Sequence, residues 1–209
     1  MEMNSILSNY SDNSPQYPVI NDGTAPKSKA KFLEDFPTIK PYKFQKLSEV
    51  QISSLDDFAC GNTGIDNFLK RGDGLRFQVD RHKMDTMVMA TETKVLGYMA
   101  YSLKEVTFSI PKMCSHTLKE QSGLKAGDKI FVIHYLGVDE NCKDRGLGQS
   151  LVVKALEFCI KKAATTEPNL KLIVLHATLN ACEFYEKIGF HRIGELENGL
   201  IEYAYTVKE

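Results

Sequence analysis

No apolar run in this sequence approaches the roughly 20 residues that a helix needs to cross a bilayer. The first residues, "MEMNSILSNYSDNSP", lack both a basic stretch and an apolar core, so no secretory signal is read there. Tryptophan is absent, and the five cysteines (Cys60, Cys114, Cys142, Cys159, Cys182) form no C-x-x-C pair. Their spacing excludes a zinc-finger grid, and their odd number argues for free thiols rather than a disulfide framework. Neither charge is in excess: 26 Lys and Arg face 27 Asp and Glu, a formal charge of -1. That balance argues against a dedicated nucleic-acid binder, which usually carries a basic surplus. It leaves room for a local basic patch. No internal repeat is found. These absences leave a soluble, cytoplasmic protein as the expectation, and 43% hydrophobic residues are enough for one sizeable core.

Five of the seven prolines fall before residue 42, amid Ser, Asn and Lys, with no helical or strand period. Residues 1–41 are therefore expected to form a loosely packed polar arm, and 42–209 a single domain. Within that domain "PYKFQKL" reads as a short first strand. Thr63 is a plausible N-cap for a helix carrying Ile65, Phe68 and Leu69, stopped by Gly72 and Gly74. "TMVMA" and "VLGYMAYSL" read as a hairpin across "TETK", and "KEVTFSIP" extends the sheet until Pro111. "KMCSHTLKEQSGLKAGD" is a connection with some helix. "KIFVIHYLGV" and "LKLIVLHA" are near-continuously apolar, the mark of strands buried on both faces. Between them Leu151, Val152, Ala155, Leu156, Cys159 and Ile160 recur at helical spacing. "NACEFYEKIGF" is a short helix closed by Gly189, and "LIEYAYTV" an alternating final strand. The fold class is α/β, a mixed sheet with helices on it.

The stretch "KDRGLGQSL", Lys143–Leu151, stands where a buried strand passes into the long helix. Helix N-termini present unpaired N–H groups and a positive dipole end, both suited to an anion. Glycine removes the Cβ that would hold a phosphate away and permits the φ angles that make N–H groups converge. Lys143 and Arg145 add charge. There is no G-K-[ST], so this is not a P-loop; Leu151 replaces the third glycine of the dinucleotide fingerprint.

"LGVDENCKDRGLGQSLVVKAL" resembles the acetyl-CoA-binding motif of the GNAT superfamily of N-acetyltransferases, in which [QRK]-x-x-G-x-[GA] wraps the pyrophosphate. Downstream, Ala181, Tyr185, Glu186, Lys187, Gly189 and Phe190 resemble the second signature of the family. The resemblance implies a mostly antiparallel central sheet flanked by helices and splayed at the acetyl-CoA-binding strand. It implies acetyl-CoA as co-substrate, held by Leu136, Gly137 and Val138 and by Lys143, Asp144, Arg145, Gly146, Leu147, Gly148 and Gln149. A backbone N–H near Val138 would polarise the thioester oxygen, an oxyanion-hole role. Family members often carry Asn seven residues before the tyrosine, against the pantetheine arm. Thr178 occupies that place here, so only the nearby Asn180 is carried over. Tyr185 is implied as general acid: a phenol with a pKa near 10 is a fair match for a departing thiolate. The Glu that many members place on the strand before the turn is missing. His134 is the candidate base, with water or His176 as alternatives.

A second resemblance lies in "FACGNTGIDNFL". Phe58, Cys60, Gly61, Ile65, Asp66, Phe68 and Leu69 match the opening of a GNAT subgroup that includes toxins of toxin–antitoxin pairs. Those enzymes acetylate the α-amine of aminoacyl-tRNA. Lys70, Arg71, Arg76, Arg81, His82 and Lys83 form a basic cluster that could face tRNA. Three functions stay open at this point: acetyl transfer to a small-molecule or protein amine, a tRNA-acetylating toxin with an antitoxin partner, and a non-catalytic acetyl-CoA binder. Monomer and homodimer are both open.

Overall fold

The computed structural model describes residues 42–50, 55–70, 84–107, 109–111, 114–143 and 145–207. The N-terminal arm expected over 1–41 and the stop expected at Gly72 and Gly74 lie outside them. Among the described residues, seven strands form one sheet: β1 (Lys43–Lys46), β2 (Asp85–Ala90), β3 (Val95–Glu105), β4 (Lys129–Val138), β5 (Leu170–Ala177), β6 (His191–Glu195) and β7 (Ile201–Thr206). Their spatial order is β1-β2-β3-β4-β5-β7-β6. Only β4 and β5 run parallel; every other pairing is antiparallel. The mixed, mostly antiparallel sheet is the one expected. No helix among the described residues is long and apolar enough to cross a membrane.

Among the described residues, four helices flank the sheet: α1 (Thr63–Lys70), α2 (His116–Ser122), α3 (Leu147–Thr165) and α4 (Cys182–Ile188). Alternation along the strands divides the core between two faces. On one face, α3 and α4 cover Met99, Phe131, Ile133, Leu136, Ile173, Leu175, Ile201 and Tyr203. On the other, α1 packs on Val88, Tyr98, Ala100 and Tyr135, while Leu118 of α2 packs on Val132, Val174 and Ala204.

Several local expectations need correction. Asn62, not Thr63, caps α1: its Oδ1 accepts from Gly64 N at 3.0 Å and Ile65 N at 3.2 Å. A free Asn side chain one residue earlier competes better for those N–H groups. The strand β3 ends at Glu105, well short of Pro111, because Val106 turns to bond with Asp128 and Gly127. Ile160 is 46% exposed, since the buried stripe of α3 ends at Cys159. The strand β6 was not anticipated; its residues are mostly exposed and polar, as on a sheet edge. Nor does β7 alternate: Ile201 to Ala204 are all buried, Glu202 included.

Candidate active site

Strand β4 builds the site. It pairs with β3 as far as Val138, but with β5 only from Lys129 to Ile133, opposite Leu170 to Leu175. Beyond Ile133 the two parallel strands part, and their register does not continue over residues 134–138. The register against β3 slips between Ala100 and Tyr101, so His134 is the extra residue of a bulge at the parting point. An open edge inside a sheet offers backbone groups to an extended ligand.

Two glycines set how closely the flanking layers approach this strand. A Cβ on Gly137 would fall 2.8 Å from Ile65 Cγ2 and 3.3 Å from Phe58 Cζ. A Cβ on Gly97, across the ladder, would fall 2.9 Å from Leu151 Cδ1 and 2.9 Å from Gly137 O. The "FACGNTGIDNFL" segment therefore sits directly on β4. Asp66 Oδ1 accepts from Cys60 N at 2.8 Å, and Tyr98 Oη donates to Ile65 O at 2.6 Å. Phe68 stacks on Tyr135 with centroids 4.2 Å apart. Burial, with help from the Asp66 carboxylate, pushes the Cys60 thiol up to about 12, so it is a packing group rather than a nucleophile.

After Val138 the chain makes a tight turn around Asp139, which is wholly buried. Its Oδ1 accepts from Lys94 Nζ at 2.8 Å and from Asn141 N at 3.0 Å, and its N–H bonds Leu96 O at 2.9 Å. The next residue ties the turn to the α1 segment, Glu140 N donating to Ala59 O at 2.7 Å. Lys143 turns the same way: a Cβ at Gly61 would lie 3.6 Å from its Nζ. Gly146 then caps α3 with φ at +71°, a left-handed conformation that glycine adopts without strain. No side chain caps this helix. Leu147, Gly148 and Gln149 form its first turn, where the N–H groups of a helix start have no intrahelical acceptor. Arg145 is exposed beside them, while Asp144 lies outside the described residues.

Tyr185 is fully buried on the α3 face, in the same core cluster as Leu136, Val138 and Leu147. Its ring sits among Phe184, Phe190 and Tyr203, at centroid distances of 5.0, 5.7 and 5.9 Å. Gly189, at φ +103°, closes α4 and returns Phe190 N to Tyr185 O at 3.0 Å. Asn180 is exposed in a 3-10 turn, Leu179–Ala181. Thr178, which sequence reasoning passed over, holds that turn through its carbonyl and keeps a buried Oγ1 with no hydrogen-bond partner. Its signal was the departure from the expected Asn.

His134 faces away from Tyr185: its Nε2 is 2.7 Å from Ser102 Oγ, on the side of the sheet that α1 and α2 cover. Two strands over, Glu202 is buried on that same side. It accepts from Ser115 N at 3.0 Å and from Ser115 Oγ, and its Oε1 lies 3.5 Å from His176 Nε2. Burial alone would push the Glu202 carboxyl up. The contacts from His176 and Ser115 outweigh it and hold the group below its ordinary value.

A parting of parallel strands, followed by a glycine turn and a helix start with no side-chain cap, is an arrangement suited to a phosphate-bearing ligand. The Acetyltransferase (GNAT) family matches residues 57–190, and the chain belongs to that family. It is an N-acetyltransferase whose co-substrate is acetyl-CoA. No curated protein matches in sequence. Among solved structures, AtaT complexed with acetyl-methionyl-tRNAfMet is similar at 18% identity and a TM-score of 0.61, covering 79% of this chain and 95% of its own. A tyrosine-to-phenylalanine mutant of the AtaT toxin, bound to the C-terminus of the antitoxin AtaR and acetyl-CoA, gives 16% and 0.57, covering 79% and 93%. A tyrosine-to-phenylalanine mutant of KacT gives 15% and 0.58, covering 79% and 95%. At these identities the likeness is one of fold.

Proposed function

We propose that the acceptor is the α-amine of aminoacyl-tRNA, and that acetyl transfer takes place where β4 and β5 part. The observation that carries this reading is the seat of Phe58, Cys60 and Ile65 on Gly137. The opening segment that resembles the toxin subgroup is built into the wall of the cofactor strand, not appended to it. The similar AtaT structure with acetyl-methionyl-tRNAfMet supports the same acceptor class. An antitoxin partner, a cytoplasmic location and a homodimer belong to this reading, as does a polar arm of 1–41 ahead of the domain at 42–209.

Acetyl-CoA supplies an activated acyl carbon and a thiolate leaving group. The open edge from Leu136 through Gly137 to Val138 would bind its extended arm by backbone hydrogen bonds, one N–H near Val138 facing the developing oxyanion. Lys143, Asp144, Arg145 and Gly146, with the N–H groups of Leu147, Gly148 and Gln149, would form the pyrophosphate cradle. Tyr185 Oη would donate a proton to the thiolate from the α3 face. Thr178, with Asn180 beside it, would line the mouth.

Cell-free translation with acetyl-CoA present tests the acceptor. Inhibition by the wild type, abolished in Tyr185→Phe and on omission of acetyl-CoA, is expected. A second reading, transfer to a small-molecule or protein amine, is favoured by the formal charge of -1. Unimpaired translation, with acetyl-CoA bound in a calorimetric titration, would favour it.

A further inference from the structure

The parting point of β4 and β5 carries an imidazole on each strand. Ile133 and Leu175 are the last residues in register, so His134 and His176 are the first beyond the pairing. Both lie on the face opposite Tyr185. Ser102, the partner of His134, stands between Tyr101 and Leu103, which pack toward α3. His176 stands between Leu175 and Ala177, and Glu202 between Ile201 and Tyr203, all four of which lie in the α3-side core. Acid and base candidates are thus separated by the sheet at the place where the sheet opens.

The two histidines differ in what stands behind them. A hydroxyl backs His134. A carboxylate backs His176: Glu202 is its direct register partner on β7, is wholly buried, and is clamped by the N–H and Oγ of Ser115 ahead of α2. A buried ionised carboxylate is a poor stability device, because desolvation offsets most of its attraction. Behind an imidazole it fixes the tautomer and ring orientation and stabilises the imidazolium that forms.

We propose that His176, oriented by Glu202, is the base that takes the proton of the attacking amine. His176 is then the catalytic residue, and Glu202 and Ser115 are positioning residues. The inference rests on the reading above that the amine attacks at the parting of β4 and β5. The amine N–H proton passes to the imidazole lone pair, the N–C bond forms and the C–S bond breaks. The thiolate leaves with the proton of Tyr185.

Bromoacetyl-CoA tests this without any acceptor. It sets an electrophilic carbon beside the acyl position, and a neutral imidazole within reach displaces bromide to form an N–C bond, the ring proton going to buffer. Digestion and mass spectrometry of the full chain should place the label on His176, with excess acetyl-CoA suppressing it. Glu202→Gln should slow that labelling by about tenfold or more while leaving acetyl-CoA affinity unchanged. Should that variant not fold, Ser115→Ala, which loosens the clamp and keeps the charge, should slow labelling to a smaller degree. Label on His134, Tyr185 or the cysteines with His176 untouched would overturn the assignment. Binding of bromoacetyl-CoA with no label would do the same. Parallel loss of labelling and acetyl-CoA affinity would reduce Glu202 to a support of the fold. A chain that does not bind the reagent would overturn the cofactor placement and the proposal with it. With methionyl-tRNA as acceptor, His176→Gln should lose about 100-fold in kcat at unchanged KM for acetyl-CoA. Wild-type inactivity on methionyl-tRNA would count against the acceptor reading alone, since labelling decides the base independently.

Discussion

The two faces of the sheet at the parting of β4 and β5 are built from different materials. On the α3 side, the candidate site is framed by backbone, with Tyr185 behind it: a left-handed Gly146, a helix start with no side-chain cap and the edge of β4 where it leaves β5. On the α1 and α2 side it consists of side chains drawn from distant segments: Ser102, Ser115, His134, His176 and Glu202. Backbone sites demand particular residues at fixed spacing, because only some sequences permit the geometry. Side-chain sites need only convergence in space, which the sheet order supplies. A comparison of what each side tolerates separates the two kinds of construction.

The largest effect is expected on the backbone side. Gly146→Val places a β-branched residue at φ +71°, where such side chains are genuine outliers, and puts a Cβ in the cradle. Acetyl-CoA binding should be lost in a calorimetric titration, while circular dichroism still reports a folded chain. Retained affinity would mean that the turn does not hold the pyrophosphate.

Beneath that turn lies a structural charge. Lys94→Met would leave Asp139 buried without its cation, a loss of about 1–3 kcal/mol, below that of a fully buried pair because Lys94 is itself partly exposed. Urea unfolding should show it as a lower midpoint at unchanged slope. A change below about 1 kcal/mol would mean that Asn141 N and solvent suffice to hold the carboxylate. Gly137→Ala tests the wall on the other face. Its new methyl meets Ile65 at 2.8 Å, so either α1 moves or the strand does, at about 1–3 kcal/mol. Ile65→Ala, which removes the Cγ2 that the methyl meets, should recover part of the Gly137→Ala loss when the double variant is measured against Ile65→Ala alone. Failure to recover any would place the strain elsewhere.

This contrast also explains what was legible in the sequence. The glycine turn and the long helix were readable because their residue types follow from local backbone needs, whereas Tyr185 was singled out only by the resemblance to the second signature of the family. Strand β6 was not readable: an edge strand of five mostly exposed residues carries no apolar period. The capping role of Asn62 was misassigned by one residue because Asn and Thr both satisfy the local rule and only geometry chooses between them. Glu202 was hidden inside "LIEYAYTV", which reads as an alternating strand with nothing to mark its glutamate. Its burial depends on Ser115, 87 residues away in sequence, and on a strand order that no local pattern encodes. The match of "FACGNTGIDNFL" to a family opening was visible. Its physical basis, the missing Cβ of Gly137, was not, since nothing in the string pairs residue 137 with residues 58 and 65.

The smallest effect concerns Glu202 and acid. The folded protein holds this carboxyl below its ordinary value of 4.5, so the folded state binds its proton less readily than the unfolded chain does. Its contribution to stability is therefore full above 4.5 and is lost as pH falls through the depressed folded value. Glu202→Gln removes that dependence. The urea midpoints of wild type and variant should be separated most at pH 7 and should converge as the solution is acidified below 4.5. Measurement at several pH values decides between two roles for the buried charge. A gap that narrows in acid shows an ionised carboxylate held by Ser115 and His176 in the free protein. A gap constant with pH would show Glu202 already protonated at neutrality, a hydrogen-bonding strut with no charge to offer an imidazolium.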